Sequence, residues 1–116
     1  MGSDERFEAR ISTHILDTVT GEPARDVDVR LERQDAGGWK PVAEGRTDAD
    51  GRLKPPMPAD DWRAGGYRLV FQVEPYLGGE AFFPEITIAF HVHDPHRHYH
   101  VPLLLSRYGY TTYRGS

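Results

Sequence analysis

The chain of 116 residues contains no cysteine. Disulfide frameworks, thiolate metal sites and cysteine nucleophiles are therefore excluded. No apolar run approaches the roughly 20 residues that a membrane-crossing helix needs. The first ten residues, MGSDERFEAR, are charged and lack the apolar stretch of a secretory signal. A cytoplasmic location is the expectation, or a periplasmic one if a signal has been removed. Basic residues are not in excess: 14 Lys and Arg against 18 Asp and Glu leave a net charge of −4. A nucleic-acid surface wants a basic stripe, so neither a nucleic acid nor a membrane is expected as a partner. Internal repeats, low-complexity segments and linkers are also lacking. Residues 1–10 are expected to be a flexible segment, and 11–116 a single domain.

What is present is a run of short alternating segments. Hydrophobic residues make up 38% and there are 12 glycines, an ordinary globular composition that argues against disorder. Residues 11–16 read as a strand and 18–24 as a turn. Val27, Val29 and Leu31 alternate with Asp28, Arg30 and Glu32, the cleanest period-two pattern in the chain. Further strands are expected over 39–45, weakened by Pro41, and over 67–73, 86–92, 98–105 and 107–112. Asp-Gly at 50–51 marks a tight turn. Three prolines confine 53–58 to a short edge strand or a loop. Residues 74–82 admit one short helix, limited by Pro75 and Gly78-Gly79. Seven or eight short strands with turn signals about every 8–12 residues are the all-β pattern. Two packed antiparallel sheets, a β-sandwich, bury such alternating faces.

Five of the six histidines fall within ten residues: His91, His93, His96, His98 and His100, with His14 apart. Strand alternation puts His91 with His93 on one face, and His98 with His100 on one face. On adjacent strands such H-x-H pairs suit zinc through neutral imidazole nitrogens. The plainer reading is a polar sheet end, and with no third-ligand motif no metal is expected. The strand over 98–105 is apolar on both faces. It is either central and buried or turned toward another subunit. Arg52 reads locally as an exposed turn residue, and His14 as a core or interface histidine.

Three segments carry more. The first is Ser12-Thr13-His14-Ile15-Leu16-Asp17 with Gly21-Glu22-Pro23-Ala24. The second is Thr47-Asp48-Ala49-Asp50-Gly51-Arg52. The third is H-x-H-V-P-L-L-L-S over 98–106, running into Tyr110-Thr111-Thr112-Tyr113-Arg114-Gly115-Ser116. Together with Phe82-Phe83-Pro84-Glu85-Ile86 they resemble the 5-hydroxyisourate hydrolases of the transthyretin-related protein family. The likeness covers about 11–116. The first two segments recur in prealbumin-like modules that only bind or brace. The third, with its terminal Y-R-G-S, separates the hydrolases from transthyretin, a carrier similar in fold.

The resemblance implies an eight-stranded transthyretin-like sandwich with a short helix after the fifth strand. It implies a homotetramer whose active sites lie where two dimers meet. It also implies hydrolysis of 5-hydroxyisourate, a small-molecule substrate, to 2-oxo-4-hydroxy-4-carboxy-5-ureidoimidazoline, without metal or organic cofactor. Carried over residue by residue, the catalytic set is His14, Arg52, His100 and Ser116, with Tyr113, Arg114 and Gly115 shaping the substrate site. Ser116 would bring a hydroxyl and the terminal carboxylate. A chain that stops at this motif reads as a whole protein rather than as a domain cut from a larger one. His91, His93 and His96 fall outside the family's pattern, and Arg107 stands where relatives often carry Pro or Gln. The competing function is a transthyretin-like carrier that binds a small ligand without chemistry.

Overall fold

Alternation that buries one face of a segment also fixes which side chains are left outside, and this positions every residue discussed below. The computed structural model describes residues 10–116. In chain order the elements are β1 (Ile11–Asp17), β2 (Glu22–Pro23), β3 (Asp28–Asp35), β4 (Gly38–Arg46), β5 (Arg52–Leu53), β6 (Gly65–Gln72), α1 (Glu74–Leu77), β7 (Glu85–Val92), β8 (Tyr99–Leu105) and β9 (Tyr110–Thr112). A 3-10 turn, Ala59–Asp61, precedes β6. Of the segment expected to be flexible, residues 1–9 lie outside the described residues. The Arg10 carbonyl accepts the Tyr99 amide at 2.8 Å.

Two sheets form. One runs β2-β1-β8-β9, with β5 also paired to β1; the other runs β4-β3-β6-β7. Their facing sides meet in one core. Ile11, Ile15, Leu103 and Leu105 come from the first sheet, and Leu31, Leu69, Phe71 and Ile86 from the second, all essentially inaccessible. Each such side chain contributes about 1.5–3 kcal/mol by leaving water. The all-β sandwich with one short helix is thus the architecture found. Among the described residues no helix is long and apolar enough to cross a membrane.

Four details differ from expectation. Among the described residues there are nine strands, because the edge of β1 is completed by two short pieces. Leu16 and Asp17 pair with Pro23 and Glu22, and Thr13 and His14 pair with Leu53 and Arg52. Between them, the Ile15 amide donates to Gly51 O at 2.8 Å and the Ile15 carbonyl accepts from the Ala24 amide at 2.9 Å. A single continuous strand cannot fit there, since the 48–51 turn occupies the gap. The helix therefore follows the sixth strand. It is confined to four residues, ended by Gly78 in the left-handed region (φ 66°). Finally, the sheets are not wholly antiparallel. β1 and β8 run parallel, from Ile11 opposite Tyr99 to Asp17 opposite Leu105.

β8 is central, and both faces are covered to different degrees. Tyr99, Val101, Leu103 and Leu105 point into the core, while Pro102 is buried and Leu104 half-buried on the outer side. Pro102 has no amide to donate, which interrupts the ladder with β9. Pairing stops at Leu103 and Thr112, and the Thr112 hydroxyl donates to Pro102 O at 2.7 Å. The same register resumes three residues on, where the Gly115 amide donates to His100 O at 2.8 Å. The chain after β9 thus returns to the outer face of β8 beside His100.

Candidate active site

The turn before β5 is built around Asp48. Its carboxylate accepts the amides of Asp50 (2.9 Å) and Arg52 (3.0 Å). Its own amide donates to Arg52 O, and its carbonyl accepts from Gly51. The Arg52 amide, foremost among these bonds, holds the exposed Asp48 carboxyl below its usual range. Gly51 has φ +74°, and a Cβ there would stand 2.6 Å from Ile15 O. Only glycine fits. The result is that Arg52 lies directly opposite His14, and the two share the outer face of the first sheet.

Parity brings the remaining groups to that face. On β1 the core takes Ile11, Thr13 and Ile15, so Ser12 and His14 face outward. On β8 the same alternation turns His100 outward. The parallel register sets Ser12 opposite His100. Ser12 Oγ is 2.8 Å from His100 Nδ1 and 3.0 Å from His98 Nε2. Gly115 packs against the imidazole, where a Cβ would come within 2.5 Å of His100 Cδ2. Any side chain at 115 would displace the ring. The pKa of His100 is lowered, first by burial and then by the charges of His98, Arg52 and His14. Its imidazole is accordingly neutral at neutral pH.

A hollow of about 250 Å³ opens here, with Ser12, Arg52, Lys54, His98, His100 and Ser116 in its walls. His14 stands beside it, next to Arg52, rather than in its lining. Two cationic side chains in an otherwise acidic protein make this a place for a carbonyl-rich or anionic small molecule. Tyr113 and Arg114 are not in this lining but border His100 from its other side. They line a second hollow of about 230 Å³ with Ile88, Phe90, His91 and Tyr99, and the Arg114 guanidinium sits 4.7 Å from the Tyr99 ring centroid.

Of the residues singled out in the sequence, the structure brings His14, Arg52, His100, Gly115 and Ser116 together. Ser12 and His98 were not selected, although their even-numbered alignment with His14 and His100 was a signal that could have found them. The strands of the two histidine pairs are not neighbours as the zinc alternative supposes: His91 is on β7 and His100 on β8, in different sheets, although both border the second hollow. Among the described residues no three His, Asp or Glu side chains gather as a metal site.

Residues 11–115 match the HIUase/Transthyretin family. The chain belongs to this family. Within it, the chain is 48% identical over 109 residues to the 5-hydroxyisourate hydrolase of Salmonella typhimurium, covering 91% of this chain and 80% of that protein. The solved 5-hydroxyisourate hydrolase of Klebsiella pneumoniae is 37% identical, with a TM-score of 0.77 over 91% of this chain and 98% of the other. Sea bream transthyretin in complex with thyroxine is 34% identical, with a TM-score of 0.84 over 91% and 94%. Hydrolase and transthyretin thus share this HIUase/Transthyretin backbone. The distinction between them rests on side chains.

Proposed function

We propose that this chain hydrolyses 5-hydroxyisourate, opening its six-membered ring to 2-oxo-4-hydroxy-4-carboxy-5-ureidoimidazoline. The observation that carries the reading is the neutral His100 imidazole held beside Arg52 in one hollow, in a chain whose relatives are 5-hydroxyisourate hydrolases. His100 takes a proton from water through Nε2, and the water oxygen attacks a ring carbonyl. Arg52 offers a rigid fork of donors to the oxyanion that develops. The C–N bond breaks as a proton reaches the departing nitrogen through His14. The Ser116 hydroxyl binds and orients the substrate, while Gly115 packs against the His100 ring and Tyr113 and Arg114 shape the hollow on its other side. Nothing in this sequence of steps calls for a metal or an organic cofactor.

The working form is a homotetramer. Support comes from the outer face of the first sheet, where Leu16 lies opposite Leu104 and both remain half-exposed in the single chain. A second copy seated there covers this apolar stripe and closes the hollow against bulk water. The carrier reading has the shared backbone behind it. It gives no task to a neutral histidine that shares a hollow with an arginine.

The test follows the ultraviolet absorbance of freshly generated 5-hydroxyisourate. The full chain accelerates its decay. His100→Asn slows that reaction by about 10²–10⁴-fold, the usual contribution of a positioned acid or base, and deletion of 113–116 also slows it. A folded full-length chain that leaves the decay unchanged sinks the hydrolase reading in favour of the carrier.

A further inference from the structure

We infer that Ser12 and His98 are positioning residues which fix the proton of His100 on Nδ1, leaving Nε2 bare to receive a proton from water. The inference rests on the hydrolase reading for its purpose. Its geometry stands apart from that reading. Ser12 Oγ is the middle member of a chain of three, 2.8 Å from His100 Nδ1 and 3.0 Å from His98 Nε2. Ser12 is 5% exposed, so water does not compete freely for its hydroxyl. Among the described residues Ser12 is the only side chain that bonds either imidazole ring, and its backbone also bonds that of His100.

A hydroxyl has a single proton. Between two ring nitrogens it donates to one and accepts from the other. With both rings neutral, two arrangements exist. In the first, His100 Nδ1–H donates to Oγ, Oγ–H donates to His98 Nε2, and His98 carries its own proton on Nδ1. In the second, every bond is reversed, and His100 keeps its proton on Nε2. Which nitrogen of a histidine is protonated is set by the bond its partner nitrogen makes. Only the first arrangement makes His100 a base toward the hollow. Protonating His98 forces the second, because the imidazolium Nε2–H must donate to Oγ. The hydroxyl then turns to His100 Nδ1, and Nε2 of that ring becomes a donor. A proton on either ring therefore removes the base.

The placement follows from the fold. The parallel register of β1 and β8 sets Ser12 opposite His100, and His98 lies two residues earlier on the same side. The other charged or titratable groups facing the trio are His14 on β1, Arg52 and Lys54 from the β5 segment, and Ser116 of the returning chain.

Nitrogen-15 spectra of histidine-labelled full-length protein, at the top of the imidazole range near about pH 8, read the tautomers directly. His98 and His100 are both expected with the proton on Nδ1, and Ser12→Ala releases His100 from it. In the decay assay Ser12→Ala lowers kcat about tenfold or more with KM little changed, the scale on which partners orienting a functional histidine act. Ser12→Thr, which keeps the hydroxyl, restores the rate. His98→Leu, which cannot accept the Oγ proton, lowers kcat in the same way as Ser12→Ala, and His98→Gln, whose amide oxygen accepts the same bond, restores part of it. Finding His100 protonated on Nε2 in the neutral wild type overturns the inference, as does a Ser12→Ala profile identical to wild type in rate and pH dependence. If the spectra show the expected tautomers while the wild type does not accelerate the decay, the hydrolase reading fails, and the role of the trio falls with it.

Discussion

His100 shows how a sheet position becomes a chemical property. Half-burial disfavours the charged imidazole, and the nearby charges of His98, Arg52 and His14 disfavour it further. The acid limb of kcat/KM should therefore lie below the ordinary imidazole value of about 6.5. Replacing Arg52 by Gln removes one of the opposing charges. It should move that limb upward while lowering kcat, and a pH–rate profile of the two proteins checks both. An upward displacement of the wild-type limb above the ordinary value would contradict the proposed base. Stability is linked with the same sign. The unfolded chain binds this proton at a higher pH than the folded one, so His100 costs the fold stability as pH falls from its unfolded value toward its folded one. At this scale the sequence was informative about residue types. His14, Arg52 and His100 are visible in their motifs. Alternation also puts Ser12 and His98 on the faces of His14 and His100, but their meeting is not legible, because Ser12 reaches His100 and His98 across 88 and 86 residues through a strand pairing that no local pattern encodes.

Elements place these residues, and two small features control the placement. The 48–51 turn sets Arg52 against His14, and Gly51 is its hinge. Gly51→Ala should destabilise the fold by about 2–3 kcal/mol, since it combines a left-handed backbone with a contact no real Cβ tolerates. Gly37→Ala is the control. Its Cβ meets nothing within 4 Å and its φ lies outside the left-handed region, so a change within about 0.5 kcal/mol is expected. Urea unfolding measures both, and the decay assay should show Gly51→Ala losing activity through a displaced Arg52. The second feature is Pro102, which breaks the β8–β9 ladder and lets Gly115 return to His100. The long strands β3, β6, β7 and β8 are legible from alternation. β2 and β5 are not, since two residues show no period. The parallel pairing of β1 with β8 is likewise hidden. Alternation reports which face of a strand is buried and is silent about the direction of its neighbour.

For the whole molecule, the outer face of the first sheet is where packing and function meet. One chain buries a contiguous core between its two sheets. Yet Leu16 and Leu104 face outward together, and Arg52 and Ser116 lie exposed where water screens every charge they could offer a substrate. The proposed second copy over this face would remove the apolar stripe from water and lower the dielectric around Arg52 and His100 at once. Leu104→Glu separates the two effects of sequence and assembly. The side chain is half-exposed within its own chain, so thermal unfolding of the separated subunit should remain cooperative. In an assembly that covers this face, however, the substitution buries a charge against an apolar surface, which costs several kcal/mol. Light scattering should then report a species smaller than the tetramer. The rate of 5-hydroxyisourate decay per chain should fall by more than about tenfold, because the oxyanion donors lose the water-excluded setting that gives them strength. Increasing the concentration of the variant should recover part of both. If it dissociates while keeping full activity, each hollow is complete within its own chain, and the shared-site description must be given up.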